Sequence, residues 1–215
     1  MANPLYDRLF GRHQGKATAF LQLADGTVIT HADFLGLAAQ YAHLLTRLGM
    51  TAGDRIAVQI AKSPEALAVY AACVQTGVVL LPLNTAYTAE EVSYFVQNSA
   101  ARVLLGEGKR AESLDPVASA SGARFMTLNA DGSGSFAQQA RTMPGTFDTV
   151  ARSEDDLAAF LYTSGTTGRS KGAMLTQRNL LSNCETLTEA WRFTSSDVLL
   201  HALPIFHTHG LFVAT

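Results

Sequence analysis

Residues Tyr162–Met174 read YTSGTTGRSKGAM, and they concentrate hydroxyls, glycines and one lysine where a packed core has no use for them. Thr163, Ser164, Thr166 and Thr167 supply hydroxyl donors. Gly165 and Gly168 let backbone N–H groups turn toward an anion with no Cβ in the way, and Lys171 adds a point charge. The apolar run Leu157–Tyr162 enters this loop and Gly172–Leu175 leaves it, so a strand is expected on each side. A phosphate-gripping loop held between two strands is therefore the first expectation. A flexible Ser/Gly linker needs neither the lysine nor the flanking apolar segments.

The loop is not a Walker P-loop. Ser170 stands where that motif, counted from Gly165, requires glycine, and Lys171 is followed by Gly172 instead of Ser or Thr. Just ahead of it, Ser153 and Asp156 spell a capping box. Only about six residues remain before the turn, too few for a typical helix, so strand is the reading for Leu157–Tyr162.

Working outward, the rest of the chain alternates strands with helices. Asp25-Gly26 sits between Ala17–Leu23 and Thr27–Thr30 as a hairpin signal. Thr30 with Asp33 opens a helix whose apolar stripe runs from Phe34 to Leu48 and stops at Gly49. Arg55–Ile60 reads as a buried strand. Ser63 then caps a helix with Pro64 at its first position, where a missing N–H costs nothing. Val78–Leu83 is strand, and Thr88 with Glu91 caps the next helix, which carries Tyr94, Phe95 and Asn98. Arg102–Leu105 and Arg124–Leu128 read as strands around a weaker helix near Arg110–Ala120.

After the loop, Thr176 caps a helix with Leu180, Cys184, Leu187 and Trp191 on one stripe, and Val198–Leu203 reads as a further strand. The predicted fold is α/β, a mostly parallel sheet covered by helices. Asn129–Ser153 dissolves into Gly, Ser, Thr and Asp, suggesting a seam between a first α/β unit (1–150) and a second (151–215) that carries the loop.

Composition sets bounds on partners. The 215 residues are 47% hydrophobic, with a net charge of −2 and scattered Lys and Arg, which gives no electrostatic reason to expect nucleic acid or an anionic membrane. The longest apolar stretch, Leu67–Leu83, is broken at Gln75-Thr76-Gly77 and makes a poor membrane span, and the N-terminus lacks the apolar core of a secretory signal. Cys73 and Cys184 are far apart within apolar helical patterns, which fits buried free thiols in a reducing cytoplasm.

Two rival sites need weighing. Gly106, Gly108 and Ala111 form a G-x-G-x-x-A run after a strand, with Asp131 twenty residues further on, which on paper is an NAD-binding fingerprint of a dehydrogenase. A strand-to-helix turn that happens to use two glycines explains the same residues, because Asp131 sits in a Gly/Ser loop rather than at a strand end. His201, His207 and His209 lack acidic or cysteine partners at metal-ligand spacing. Instead the His207–Gly210 turn is expected to open a helix and to face His207 toward a pocket at the carboxyl edge of the sheet.

The run T-S-G-T-T-G-x-x-K-G resembles the signature loop of the adenylate-forming enzymes, the superfamily of acyl-CoA synthetases, luciferases and peptide-synthetase adenylation domains. LPIFHTHGL (203–211) resembles the malonyl-CoA synthetase branch, and PLNTAYTAEE (82–91) resembles an earlier block of the family, so the likeness spans most of the chain. It implies an ATP-dependent acid–thiol ligase. A carboxylic acid such as malonate becomes an acyl-adenylate and then a CoA thioester, with Mg²⁺ bridging the nucleotide phosphates. The loop (Thr163, Ser164, Gly165, Thr166, Thr167, Gly168, Lys171) would hold the departing phosphates, Thr163 would contact Mg²⁺, and His207 would help bind the free carboxylate of a diacid.

The family commonly has proline where Ser170 stands, which frees one N–H without removing a phosphate donor. Thr215 falls within the helix expected after His207. By the same resemblance, the Mg²⁺-anchoring acid, the ribose-binding aspartate, the hinge and the C-terminal domain with its adenylation lysine lie outside these residues. No catalytic residue is assignable within them, and alone they are not expected to turn over.

Overall fold

A computed structural model describes residues 3–163 and 170–213. Its centre is a six-stranded sheet built from β3 (Arg55–Gln59), β4 (Val79–Pro82), β5 (Val103–Gly106), β6 (Arg124–Thr127), β7 (Leu157–Thr163) and β8 (Lys171–Thr176), in the order β6-β5-β3-β4-β7-β8. Every neighbouring pair is parallel except the last. Ile56 lies opposite both Leu80 and Val103, Leu104 opposite Phe125, and Leu80 opposite Ala159, while β7 and β8 form an antiparallel hairpin. The mostly parallel α/β expectation is correct, and the strands on either side of residue 150 share one sheet.

Parallel strands need crossovers, and these are helices on both faces. On one face, α2 (His31–Arg47), α3 (Pro64–Thr76) and α6 (Ser135–Ala140) pack over Ile56, Val58, Leu80, Val103, Leu105 and Leu161. On the other, α4 (Ala89–Ser99) and α5 (Ala111–Ala120) pack over Ala57, Leu81, Leu104, Phe125, Phe160 and Tyr162. Alternate residues of each strand thus feed opposite cores, which is why the strands read as continuous apolar runs.

The start signals behave as local chemistry requires. Thr30/Asp33 and Thr88/Glu91 are reciprocal capping boxes, and Thr176 forms one with Asn179 at the head of α7 (Gln177–Ala190). Ser63 caps α3 with Pro64 at its first turn. A short α1 (Pro4–Leu9) leads into the hairpin β1 (Ala19–Gln22) and β2 (Val28–Thr30). Ser153 and Asp156 make a turn, Ser153 N–H donating to Asp156 Oδ2 at 2.7 Å, and the chain then enters β7 as a strand.

Four expectations need correcting. The stretch 129–153 contains α6, anchored by the fully buried Phe136 ring against Tyr41 at 5.1 Å between centroids. Val198–Leu203 is not a strand: Val198 and Leu200 are 93% and 90% exposed, and the segment has no ladder partner. Trp191 lies just past the end of α7 and is exposed, while Cys184 is only partly buried and Cys73 fully so. Among the described residues, no helix is long and apolar enough to cross a membrane.

Candidate functional site

The β7–β8 hairpin brings its loop to the carboxyl edge of the parallel strands, because β7 runs parallel to β4 and turns back only after Thr163. In α/β sheets this edge is where ligands bind. Thr163 ends β7, Lys171 begins β8, and the two are register partners, with the Thr163 hydroxyl donating to the Lys171 carbonyl at 3.5 Å. Both side chains are exposed at the mouth of the loop. Ser164, Gly165, Thr166, Thr167 and Gly168 lie outside the described residues.

The stem of the loop is fixed from α4. The Tyr94 hydroxyl donates to the Ser170 carbonyl at 3.0 Å, and the Tyr162 hydroxyl donates to Asn98 Oδ1 at 2.5 Å. The Phe95 and Tyr162 rings pack at 4.5 Å. Burial, and next the Tyr94 hydroxyl nearby, push the Tyr162 phenol up to about 12, so it remains a neutral donor. Gly172 makes room for this stack: a Cβ there would sit 2.1 Å from Phe160 Cε1. Sequence reading placed Tyr94, Phe95 and Asn98 on an amphipathic helix but missed their grip on the loop. The one available signal was an asparagine on an otherwise apolar stripe.

The neighbouring edge loop, 83–88, is tied down as firmly. Gln59 Nε2, at the end of β3, donates to the carbonyls of Asn84 (2.8 Å) and Tyr87 (3.0 Å), and the Arg110 guanidinium donates to those of Thr85 (3.3 Å) and Tyr87 (3.1 Å).

The third edge element is the loop around His207. Ile205 is buried and anchors it, while His207, Thr208 and His209 are exposed and the His207 ring packs on Phe206. The His207 carbonyl accepts from the Gly210 and Leu211 amides at 3.1 and 3.0 Å, starting the helical turn 209–213. His201 Nε2 lies 2.8 Å from the Gly210 carbonyl, and Lys62, three residues beyond β3, donates from Nζ to the carbonyls of His201 (2.7 Å) and Leu203 (3.2 Å). Only β4 separates β3 from β7, so about 10 Å lies between their axes. The stem of the phosphate-type loop and Lys62, which holds the base of the His207 loop, therefore lie at the same sheet edge. Lys62 and His201 as loop-holding residues were invisible in the sequence, since they act across 139 positions.

The glycines of the rival fingerprint have structural work. A Cβ on Gly106 would meet Leu114 Cδ1 at 2.9 Å and Phe125 Cε2 at 3.0 Å, and Gly108 N–H already donates to Asn129 Oδ1 at 2.8 Å. Asp131 closes a local turn, accepting from the Ser133 hydroxyl (2.6 Å) and amide (2.9 Å).

Comparison with known proteins bears on the same surfaces. The sequence profile of the AMP-binding enzyme family matches residues 8–215. A malonate–CoA ligase of Arabidopsis thaliana is 30% identical over 214 residues, covering 97% of this chain and 35% of the relative. A feruloyl-CoA synthase of Amycolatopsis sp is 32% identical over 186 residues, covering 86% of this chain and 36% of the relative. ATP-bound MatB from Rhodopseudomonas palustris superposes with a TM-score of 0.94 at 46% identity, over 100% of this chain and 42% of that one. The chain thus spans 35% to 42% of the length of these relatives. With the fold, the edge loops and the profile in agreement, the chain belongs to the AMP-binding, adenylate-forming enzyme family, over part of its length.

Proposed function

We propose that the whole protein activates a carboxylic acid, malonate or a related short dicarboxylate, with ATP to an acyl-adenylate and then transfers the acyl group to coenzyme A. The observation that carries this reading is the stem of the β7–β8 hairpin, whose ends Thr163 and Lys171 are exposed at the carboxyl edge and whose Ser170 carbonyl is held by Tyr94 of α4. In the first step a carboxylate oxygen attacks the α-phosphorus of ATP and pyrophosphate leaves. In the second the CoA thiolate attacks the acyl carbonyl and AMP leaves.

Two anions must meet in the first step. The role we assign to this chain is to hold the β and γ phosphates through Lys171 and the hydroxyl and N–H groups of the loop, so that charge growing on pyrophosphate is stabilised more than charge on ATP. A fixed stem matters here, because donors that need not reorganise stabilise developing charge best. Mg²⁺ takes few protein ligands and mostly phosphate oxygens and water. Among the described residues no cluster of three or more His, Cys, Asp or Glu side chains is placed to hold a metal ion. The exposed Thr163 hydroxyl fits as one ligand to a magnesium delivered with the nucleotide, where the ion would neutralise phosphate charge.

A diacid keeps one carboxylate as nucleophile and must have the other paired, since desolvating it alone is costly. His207, exposed on its loop, is the residue we assign to that carboxylate. The malonate–CoA ligase relative supports a diacid, whereas the feruloyl-CoA synthase relative keeps a monoacid as the second reading. Pyrophosphate release by the full-length protein over malonate, methylmalonate, acetate and longer acids separates the two. We expect malonate to be preferred, and His207→Ala to lower kcat/KM for malonate by about tenfold or more while acetate use barely changes. Malonate turnover untouched by His207→Ala would remove the diacid assignment.

A further inference from the structure

The His207 loop is a closed ring of chain. Gly210 packs so tightly on Pro204 that a Cβ would sit 2.1 Å from the Pro204 carbonyl oxygen, and His201 spans the neck by reaching the Gly210 carbonyl. A carbonyl can only accept, so Nε2 is the donor to it and Nδ1 is the ring nitrogen left to face Lys62. That nitrogen lies 3.5 Å from Lys62 Nζ, which also binds the two main-chain carbonyls of 201 and 203. One ammonium thus fixes the tautomer of the clasp and ties its base to the end of β3. The tip residues 207–209 are exposed, and the clasp holds the base of the loop that carries them.

We propose that His201 and Lys62 are positioning residues for substrate: together they fix the His207 loop against the carboxyl edge of β3 and so set the affinity for the acid, with neither group touching it. This rests on the function proposed above. No sequence motif links Lys62 to the loop; the link is the three contacts its ammonium makes.

The test uses the full-length enzyme and four variants. His201→Phe keeps an aromatic ring without the donor, His201→Gln restores an amide N–H at the reach of Nε2, Lys62→Met keeps the stem without the charge, and Lys62→Arg restores it. Losing the clasp should raise KM for malonate about tenfold in His201→Phe and Lys62→Met, with kcat and KM for ATP within about twofold. Gln and Arg should recover most of that change. In the unliganded protein, hydrogen exchange at the Gly210 and Leu211 amides should speed up about fivefold or more in His201→Phe.

The proposal is overturned if KM for ATP rises in step with KM for malonate, if Gln is no better than Phe, or if the amide exchange is unchanged. A wild type that activates no carboxylic acid refutes the parent function and with it any substrate role for the clasp. Exchange acceleration in that case leaves a structural contact only.

Discussion

Two glycine-bearing turns leave the carboxyl edge of the same sheet, and they differ in what they expose there. After β5, Gly106 is glycine because Leu114 and Phe125 occupy the space of its side chain, and the Gly108 amide is already spent on Asn129. After β7, the packing demand falls on the stem at Gly172, beneath Phe160, while the mouth carries the exposed Thr163 and Lys171. A glycine pattern therefore says little about a ligand until the packing around each glycine is known. What separates the turns is an exposed lysine at the loop mouth, held on a stem that is itself rigidly bound.

The sharpest way to break this contrast is Lys171→Ala in the full-length protein. Removing a preorganised phosphate contact should lower ATP-dependent pyrophosphate release by about 100-fold or more while thermal stability holds, since the side chain is exposed. A loss under about threefold would place the two turns in the same class. Gly106→Val should do the opposite: overpacking against Leu114 and Phe125 costs about 1–3 kcal/mol in denaturant unfolding, with activity per folded molecule preserved and no NAD binding by either form.

Smaller effects sharpen the picture. Tyr94→Phe deletes the bond to the Ser170 carbonyl and should cost about 1 kcal/mol of stability, with a rise of a few-fold in KM for ATP as the stem loosens. Least of all, Asp131→Asn tests whether that carboxylate serves a turn or a ribose. The Ser133 hydroxyl and then its amide hold Asp131 below the usual carboxylate range. Its contribution is therefore present above the ordinary aspartate value near pH 4 and is lost as pH falls through the lower folded value. The gap in melting temperature between wild type and Asp131→Asn should be small at neutral pH and close on acidification. A gap that widens there contradicts the assignment.

What the sequence made legible was whatever a few neighbouring residues decide. Thr30/Asp33, Ser63-Pro64 and Thr88/Glu91 announce helix starts because the cap and its partner lie within one turn. The β7–β8 hairpin was legible for the same reason. The helix α6 was not, because Gly and Ser surround it and its stability comes from Phe136 reaching Tyr41 across 95 positions of chain. Val198–Leu203 has the apolar pattern of Val103–Leu105, yet only the latter lies between paired strands; propensity without a ladder partner made no strand. In the site, Lys171 and His207 stood out by residue type, whereas Tyr94, Asn98, Lys62 and His201 matter through contacts that only the fold creates.

The central claim is that the loop between Thr163 and Lys171 receives the nucleotide triphosphate. A crystal structure of the full-length protein with a non-hydrolysable ATP analogue tests it most directly. This account predicts the β and γ phosphates within hydrogen-bond reach of the loop amides and Lys171 Nζ, with the stem still held by Tyr94 and Asn98; a triphosphate seated at another edge turn, with Lys171 pointing into bulk water, contradicts it.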